Sequence, residues 1–422
     1  MKKQFTLGAA LLMTTTAASA SGIDRNLTNY GLLFETGNYA ELSYANVSPS
    51  VSGTYGPTAT ALGGGATSTD VMSKDFETLS GSVKYDLTDK LALGLFSNQP
   101  FGANADYTNG FYTGLAAEWD SRGTSIVLKY KVTPNISVYG GARSIVSQAT
   151  IDIPDQLIRV QYGLAAQQLG DAAAAAAAGG DLATAGALGQ QAQQLGAIAT
   201  TTPVGGLTYK ATTDSDRQTS YIVGAAYERP EIALRVALTY ESGYTHSFES
   251  VESFGGIDTD PMTTNIEMPD VYTLDFQSGV ATDTLVFGSI RHATWSDWEV
   301  RPPVYGASIP ASPVGSARVT GIDTDTTTYR IGVGRKFSDA ISGFARVTYE
   351  PGNGDVLSRL SPTDGSIAYG FGGSYTNGAI KVTGGVEYIT FGEGDDNENA
   401  LLATNFSDND AVAVGLSVGY RF

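Results

Sequence analysis

The chain has 422 residues, 25 Lys and Arg against 43 Asp and Glu, a formal net charge of -18 and no cysteine. The acidic balance speaks against nucleic acid as a partner, which needs a basic surface, and the lack of Cys excludes disulfides, thiolate metal sites and cysteine nucleophiles. Although 42% of the residues are hydrophobic, nothing after the N-terminus reaches the ~20 consecutive apolar residues of a spanning helix.

The first element is an export signal. Lys2 and Lys3 precede the short apolar run Leu7–Met13, and Ala18-Ser19-Ala20 is a small-residue cleavage site. This order predicts a Sec-type signal peptide over 1–20 and a mature chain from Ser21. Residues 21–37 follow, with Ile23, Leu27, Tyr30, Leu32, Leu33 and Phe34. That segment is too apolar for a free tail, and a plug or hatch inside a barrel would bury it.

From residue 38 the chain alternates with period two, which directs one face of a strand to an apolar phase. The outward sets begin Ala40, Leu42, Tyr44, then Leu79, Val83, Tyr85, then Leu91, Leu93, Leu95. Ile126, Leu128, Tyr130 and Ile136, Val138 continue them, as do Tyr221, Val223, Tyr227 and Val236, Leu238, Tyr240. Tyr272, Leu274, Phe276 and Val286, Ile290 come next, then Tyr329, Ile331, Val333 and Val347, Tyr349. Ile367, Tyr369, Phe371 and Val382, Val386, Tyr388 lead to the last set, Val412, Val414, Leu416, Val418, Tyr420 and Phe422. The alternation predicts about fourteen strands.

The links separate into two kinds. Residues 87–90, 132–135, 228–231, 281–283, 337–340 and 375–378 have tight-turn composition, and each is followed one strand later by a link of about a dozen residues or more. Short periplasmic turns alternating with long extracellular loops are the pattern of an outer-membrane barrel. The prediction is all-β: a transmembrane antiparallel β-barrel over 38–422, both termini periplasmic, in the outer membrane of a Gram-negative bacterium. In this phase Lys84, Lys129, Arg143, Arg235, Arg330, Arg346, Lys381, Asp275 and Glu387 point into the lumen. They fill it with ion pairs, or one or two of the cations, with Arg143 and Arg330 as candidates, meet an anionic ligand head group.

The longest link, 150–217, carries an Ala- and Gln-rich stretch over 161–199. Ala and Gln favour helix, and Leu164, Leu169, Leu182, Leu188 and Leu195 would form its apolar stripe; a flexible low-complexity insertion is the alternative. Other chemistry is sparse. His246 and His292 lie in different strands without a third ligand, so neither a metal site nor a cofactor is expected. Gly415-Leu416-Ser417-Val418-Gly419 matches a hydrolase motif that needs a strand-to-helix elbow, yet the chain continues for three residues only; no catalytic residue is assigned. Acidic loops at 256–260, 321–325 and 394–398 are solvated or hold Ca²⁺. Trp295-Ser296-Asp297-Trp298 reads as an interfacial anchor at the end of the ninth strand.

Several of these words, in this order, carry a resemblance: the apolar segment before the first strand, Tyr39-Ala40-Glu41-Leu42-Ser43-Tyr44, Ser48-Pro49-Ser50-Val51-Ser52-Gly53, Asn98-Gln99-Pro100-Phe101-Gly102, the Ala/Gln-rich insertion, Ile266-Glu267-Met268-Pro269, Thr294-Trp295-Ser296, Ser361-Pro362-Thr363-Asp364-Gly365 and the Phe-terminated strand. The chain resembles the FadL/TodX-type outer-membrane transporters of long-chain fatty acids and hydrocarbons. The resemblance implies an N-terminal hatch (21–37, with Leu27, Leu32 and Phe34), loop capture around Leu164 and Leu169, a lumen pocket, and passive lateral release through a kink in the third strand at Pro100, Phe101 and Gly102. It implies a lipophilic small molecule as ligand and a monomer, with outer-membrane lipid, lipopolysaccharide and, during biogenesis, the barrel-assembly machinery as partners. The hatch lacks the family's Asn-Pro-Ala stretch. A porin for small polar solutes is the alternative function; a barrel enzyme and a purely structural or adhesive barrel are further rivals.

Overall fold

A computed structural model describes residues 22–310, 317–397 and 402–422; the expected signal peptide lies outside them. Among these residues fourteen antiparallel strands close into a barrel. They are β1 (Tyr39–Ser50), β2 (Phe76–Asp86), β3 (Leu91–Asn98 and Gly102–Asp106), β4 (Ala116–Lys131), β5 (Ile136–Ile153), β6 (Tyr209–Thr213 and Asp216–Arg229), β7 (Leu234–Glu241 and Tyr244–Phe254), β8 (Met262–Met268 and Val271–Ala281), β9 (Thr284–Ala293), β10 (Thr326–Lys336), β11 (Ile341–Glu350), β12 (Ser366–Asn377), β13 (Ile380–Phe391) and β14 (Asp410–Arg421). Closure is the ladder between β1 and β14, which runs from Tyr39 opposite Arg421 to Ser50 opposite Asp410. A closed ring leaves no backbone edge unpaired in lipid.

The period-two pattern settles which side chains face out. Leu42, Leu79, Ile126, Leu238, Ile331, Phe371 and Val414 are all exposed on the outer wall. Tyrosines border this apolar band on both sides: Tyr44, Tyr221, Tyr272, Tyr329 and Tyr369 towards the long-loop end, and Tyr85, Tyr130, Tyr227, Tyr375 and Tyr420 towards the short-turn end. An apolar belt between aromatic girdles is the surface of a membrane-spanning barrel. No helix among the described residues is long and apolar enough to cross a membrane.

Above the band, β4 to β8 rise further as a polar-faced ladder, and three features of the sequence reading change there. The predicted loop 150–217 shrinks to 154–208, because β5 continues to Ile153 and β6 begins at Tyr209. The links 107–115 and 255–261 are shorter than a dozen residues for the same reason: outside the membrane both strand faces can be polar, so the extension looked like loop. The Trp295–Trp298 turn is a correction of another kind. Trp295 is fully buried and Trp298 nearly so, because the 3-10 turn Trp295–Asp297 carries the chain inward over the barrel mouth; neither ring is an interfacial anchor.

The Ala/Gln-rich stretch is helical. α1 is the short Pro57–Leu62; α2 (Asp155–Ala178) and α3 (Leu182–Thr201) form an antiparallel hairpin. Gly180 adopts φ 83°, a left-handed conformation suited to glycine, and Asp181 caps α3 by accepting from the Thr184 N–H. The predicted stripe is incomplete, since Leu182 is 74% exposed. α4 (Pro303–Ser308) completes the set. The largest apolar cluster lies in this extracellular cap, where Phe111, Trp119, Ile158, Phe248, Trp298 and Tyr305 come together.

Candidate functional site

Three features of the interior bear on function, beginning with the N-terminal segment. It runs inside the barrel and is tied to opposite walls. Its 3-10 turn, Tyr30–Phe34, buries Tyr30, Leu32 and Leu33 among Phe96, Val127, Tyr139 and Ile222. The Lys84 ammonium donates to the carbonyls of Glu35 and Gly37, and that of Lys129 to the Leu33 carbonyl. Phe34 lies between two cations, with Lys129 3.7 Å and Arg235 4.7 Å from its ring centre. Arg421 of the closing strand pairs with Glu35 at 2.9 Å. Apolar contacts and hydrogen bonds from several strands thus fix one conformation of a segment too short to fold alone.

Above the turn lies a belt of ion pairs: Arg143 with Glu241 at 2.6 Å, Arg291 with Asp24 at 2.7 Å and Arg346 with Glu387 at 2.9 Å. Arg143 is therefore occupied by a wall carboxylate. Arg330 bonds Thr348 through Nε at 3.3 Å and, with Leu27, lines a lumen cavity of ≈ 110 Å³ bordered by Asp24, Asp275, Glu350 and Glu387. This chamber is charged and well below the ~300 Å³ of ordinary small-molecule pockets.

The second feature is an extracellular cavity of ≈ 800 Å³. Leu157, Val160 and Leu164 of α2 form one wall, and Tyr305, Val319, Leu357 and Leu360 of two loops form the others. Leu169, one turn beyond Leu164, does not line it. Arg359 stands at the polar side, its Nε 2.9 Å from Asp396, with Tyr112 bonding the same carboxylate. Burial pushes the Tyr112 phenol up to about 12, with Asp396 adding to it, so Tyr112 donates at neutral pH. α2 is held over the cavity by Asp155, which accepts from Arg159 and from the N–H groups of Gly205 and Leu207. Burial alone would raise the Asp155 pKa, but these bonds together hold it below the usual carboxylate value. A depressed carboxylate stabilises above its unfolded pKa and loses that contribution as pH falls through its folded value. The tether is accordingly intact at neutral pH; Asp155→Ala is expected to raise amide exchange across α2 and α3 about tenfold at neutral pH and to change little in acid.

The third feature is a window in the wall. The β2–β3 ladder runs from Asp86 opposite Ala92 up to Gly81 opposite Ser97 and stops there. The strands meet again in the same register at the single bridge Ser73–Ala105. Between these points residues 74–80 and 98–104 make no ladder pairs with each other. β3 is broken at Gln99-Pro100-Phe101 and carries one extra residue against β4, where Asn98 faces Gly123 and Gly102 faces Asp120. Pro100 lacks an N–H for the ladder, and the extra residue bends the strand. The edge that β2 vacates is taken by the N-terminal segment. The Arg25 and Asn26 N–H groups donate to the carbonyls of Pro100 and Gln99, the Gly102 N–H donates to Ile23, and Asp24 opposes Phe101. Behind the window lies a pocket of ≈ 110 Å³ whose apolar wall includes Val51, Met72, Phe76, Leu360 and Phe391.

A closed barrel with an interior N-terminal segment, a helical hairpin over its mouth and a break in the third strand is a specific combination. The crystal structure of a Pseudomonas aeruginosa FadL homologue superimposes with a TM-score of 0.67 at 12% identity, covering 93% of this chain and 92% of that one. The Pseudomonas putida toluene transporter TodX gives 0.57 at 15% identity over 96% and 97% of the two chains, and the CymD monoaromatic hydrocarbon channel gives 0.52 at 12% identity over 93% and 90%. The chain has the FadL-type fold. No protein-family model and no curated protein matches the sequence.

The FadL-type barrel brings together most of the residues singled out from sequence, but in separate places. Leu32 and Phe34 close the bottom of the lumen, Leu27 and Arg330 share the charged chamber, Pro100, Phe101 and Gly102 frame the window, and Leu164 lines the outer cavity. Sequence reading missed the ring cluster joining the last two. Phe101 meets Trp295 edge-on at 5.9 Å, Trp295 meets Trp298, and Trp298 meets Trp119. Trp119 stands beside His246, whose Nδ1 is 2.7 Å from Asp216. Only the scarcity of Trp, three in the chain, hinted that they belong together. Among the described residues no group of three His, Cys, Asp or Glu could hold a metal ion, and Ser417 is an inward residue within β14.

Proposed function

We propose that this chain is a member of the FadL/TodX-type family, a passive outer-membrane channel that captures lipophilic small molecules in its loop cavity and releases them sideways through the β2–β3 window. The observation that carries the reading is the continuity of apolar surface from cavity to window. Leu360 lines both the outer cavity and the wall pocket, and one cluster of buried side chains contains Phe111 and Leu115 of the cavity together with Ile23, Met72 and Phe101 of the window. Straight descent is opposed by the charged belt and the packed turn beneath it. An apolar chain gains about 0.8 kcal/mol per buried methylene along the first route and would have to displace buried ion pairs on the second.

In this mechanism the cavity competes with bulk water for the ligand, and the concentration gradient drives transfer along the aromatic rings to the wall. The N-terminal segment acts as the hatch: it seals the lumen and, by lending its edge to β3, closes the window. The fatty acids and monoaromatic hydrocarbons of the related transporters are the starting choices for ligand.

The direct test is binding and uptake by the same variants. Leu164→Glu places a charge on the apolar cavity wall and is expected to weaken binding of a fluorescent long-chain acid about tenfold or more, with a parallel fall in uptake at limiting concentration. Unchanged binding would remove the loop cavity from the route. Native mass spectrometry of the purified protein is expected to show a co-purified lipophile.

A further inference from the structure

We propose that a cavity at the short-turn end of the barrel is an anion-binding site, in which Arg235 and Lys381 hold the carboxylate or phosphate of a small molecule entering from the periplasm. The site is separate from the loop cavity and the window, and it stands whichever way lipophilic ligands leave.

The tight turns 228–231, 337–340 and 375–378 rim a cavity of ≈ 280 Å³, and Phe34, Glu35 and Thr36 of the N-terminal segment form its roof. That is close to the ~300 Å³ at which small-molecule pockets begin. Strand alternation turns Arg235 inward, since Val236 and Leu238 face out, and leaves it 5% exposed. Its cross-strand neighbours are Glu228 on β6 and Gln277 on β8. Neither holds it: Glu228 pairs with Lys129 at 3.5 Å, and the Gln277 amide donates to the Ala233 carbonyl. The guanidinium stands over the Phe34 ring and, among the described residues, has neither a hydrogen-bond nor an ion-pair partner. Lys381 on β13 faces Thr376 and Gly419. Glu41 comes next in that row, beyond Gly419, but the Tyr39 phenol fills the space over Gly419 and donates to Glu41 at 3.4 Å. Lys381 is likewise without a hydrogen-bond or ion-pair partner among the described residues.

The charge balance of the cavity is therefore uneven. Its carboxylates are matched, Glu35 by Arg421 at 2.9 Å, Glu228 by Lys129 and Asp339 by Lys336 at 2.7 Å. Asp275, which acts on Arg235 at longer range, borders the charged chamber above and not this cavity. Among the described residues of the lining, two cations remain over. A buried cation without a counter-charge is costly, and a guanidinium presents a planar fork of donors that fits a carboxylate or a phosphate. Tyr39, Pro230 and Leu234 give the rest of the wall an apolar surface, which suits a short carbon chain behind the charged group. Because the N-terminal segment is the roof, an occupant also braces it, and the segment loosens when the anion leaves.

The test is titration calorimetry of the purified full-length barrel in detergent with sodium succinate and with sodium phosphate, against sodium chloride of equal ionic strength and neutral dimethyl succinate. At least one oxyanion is expected to bind with a Kd of about 1 mM or tighter and the neutral ester not at all; which of the two binds separates a carboxylate site from a phosphate site. Arg235→Gln and Lys381→Gln are each expected to weaken binding about tenfold or more. Lys381→Gln, at a half-buried position, keeps the test usable if Arg235→Gln misfolds. Amide exchange of Tyr30–Phe34 reports the brace: at ten times the Kd the anion is expected to slow it about tenfold in wild type and to leave it unchanged in the variants. Failure of both oxyanions to bind wild type overturns the proposal. Binding that the variants retain overturns it too, because the anion then sits elsewhere. Binding that the variants lose, with no slowing of exchange in wild type, confirms the site and overturns the brace.

Discussion

Deletion of Gly22–Phe34 is expected to turn a closed barrel into an open pore with steady ohmic conductance in planar bilayers. The segment supplies Tyr30, Leu32 and Leu33 to the interior cluster, and loss of three such buried side chains removes on the order of 5 kcal/mol of apolar burial. It also removes the partner that the Pro100, Gln99 and Gly102 backbone groups find on the side of β3 that β2 leaves free. Arg291 would lose Asp24 and Lys129 the Leu33 carbonyl. Buried polar groups without partners recruit water, so the lumen and the window should hydrate together. The deletion variant should still insert, because the β1–β14 ladder starts at Tyr39, beyond the deleted residues. Bilayers that remain silent with correctly folded deletion protein would show that another element blocks the lumen and would overturn the assignment of this segment as the hatch.

Glu387→Gln is expected to lower folding stability by about 3–5 kcal/mol. Glu387 receives both Nε and Nη2 of Arg346, at 3.2 and 2.9 Å, and both side chains are 2% exposed. The pair spans a strand. Arg346 on β11, Gly370 on β12 and Glu387 on β13 lie in one cross-strand row, and a Cβ on Gly370 would strike the Arg346 side chain. Glycine in the middle strand lets the charges meet over it. Neutralising Glu387 leaves a buried guanidinium beside a second cation, Arg330, which lines the lumen cavity. Replacing both partners, Arg346→Leu with Glu387→Leu, removes the buried cation together with its carboxylate and should recover most of the loss. Urea titrations of refolding into lipid, read by tryptophan fluorescence, measure both; a double variant as unstable as Glu387→Gln would show that the ion pair itself, not the excess buried positive charge, carries the effect.

Much of the wall was legible because a strand has an unambiguous period. Val412, Val414, Leu416 and Val418 could face only one way, and Arg346, Glu387 and Lys129 only the other. Above the membrane that signal fades. The upper parts of β5 to β8 have polar residues on the outer face, such as Thr245, Ser247, Asn265 and Glu267, so strand and loop compositions coincide. Trp295 and Trp298 misled for a related reason: an aromatic pair after a strand marks an interface only if the chain stays on the wall, and here it turns inward.

The sequence by itself determined a membrane-facing wall of about fourteen strands, its charged interior and its alternating turns and loops; the break at Pro100 came from the family resemblance, where proline's missing N–H made it credible. These follow from side-chain alternation and from the backbone limits of single residues. The tertiary structure alone decided how the break is used. Asp24 opposite Phe101, Ser73 opposite Ala105, and Arg25 between Phe76 and Asp120 join residues far apart in the chain. No local period encodes such pairings; they exist because barrel closure brings the N-terminal segment against a strand edge that its neighbour leaves bare.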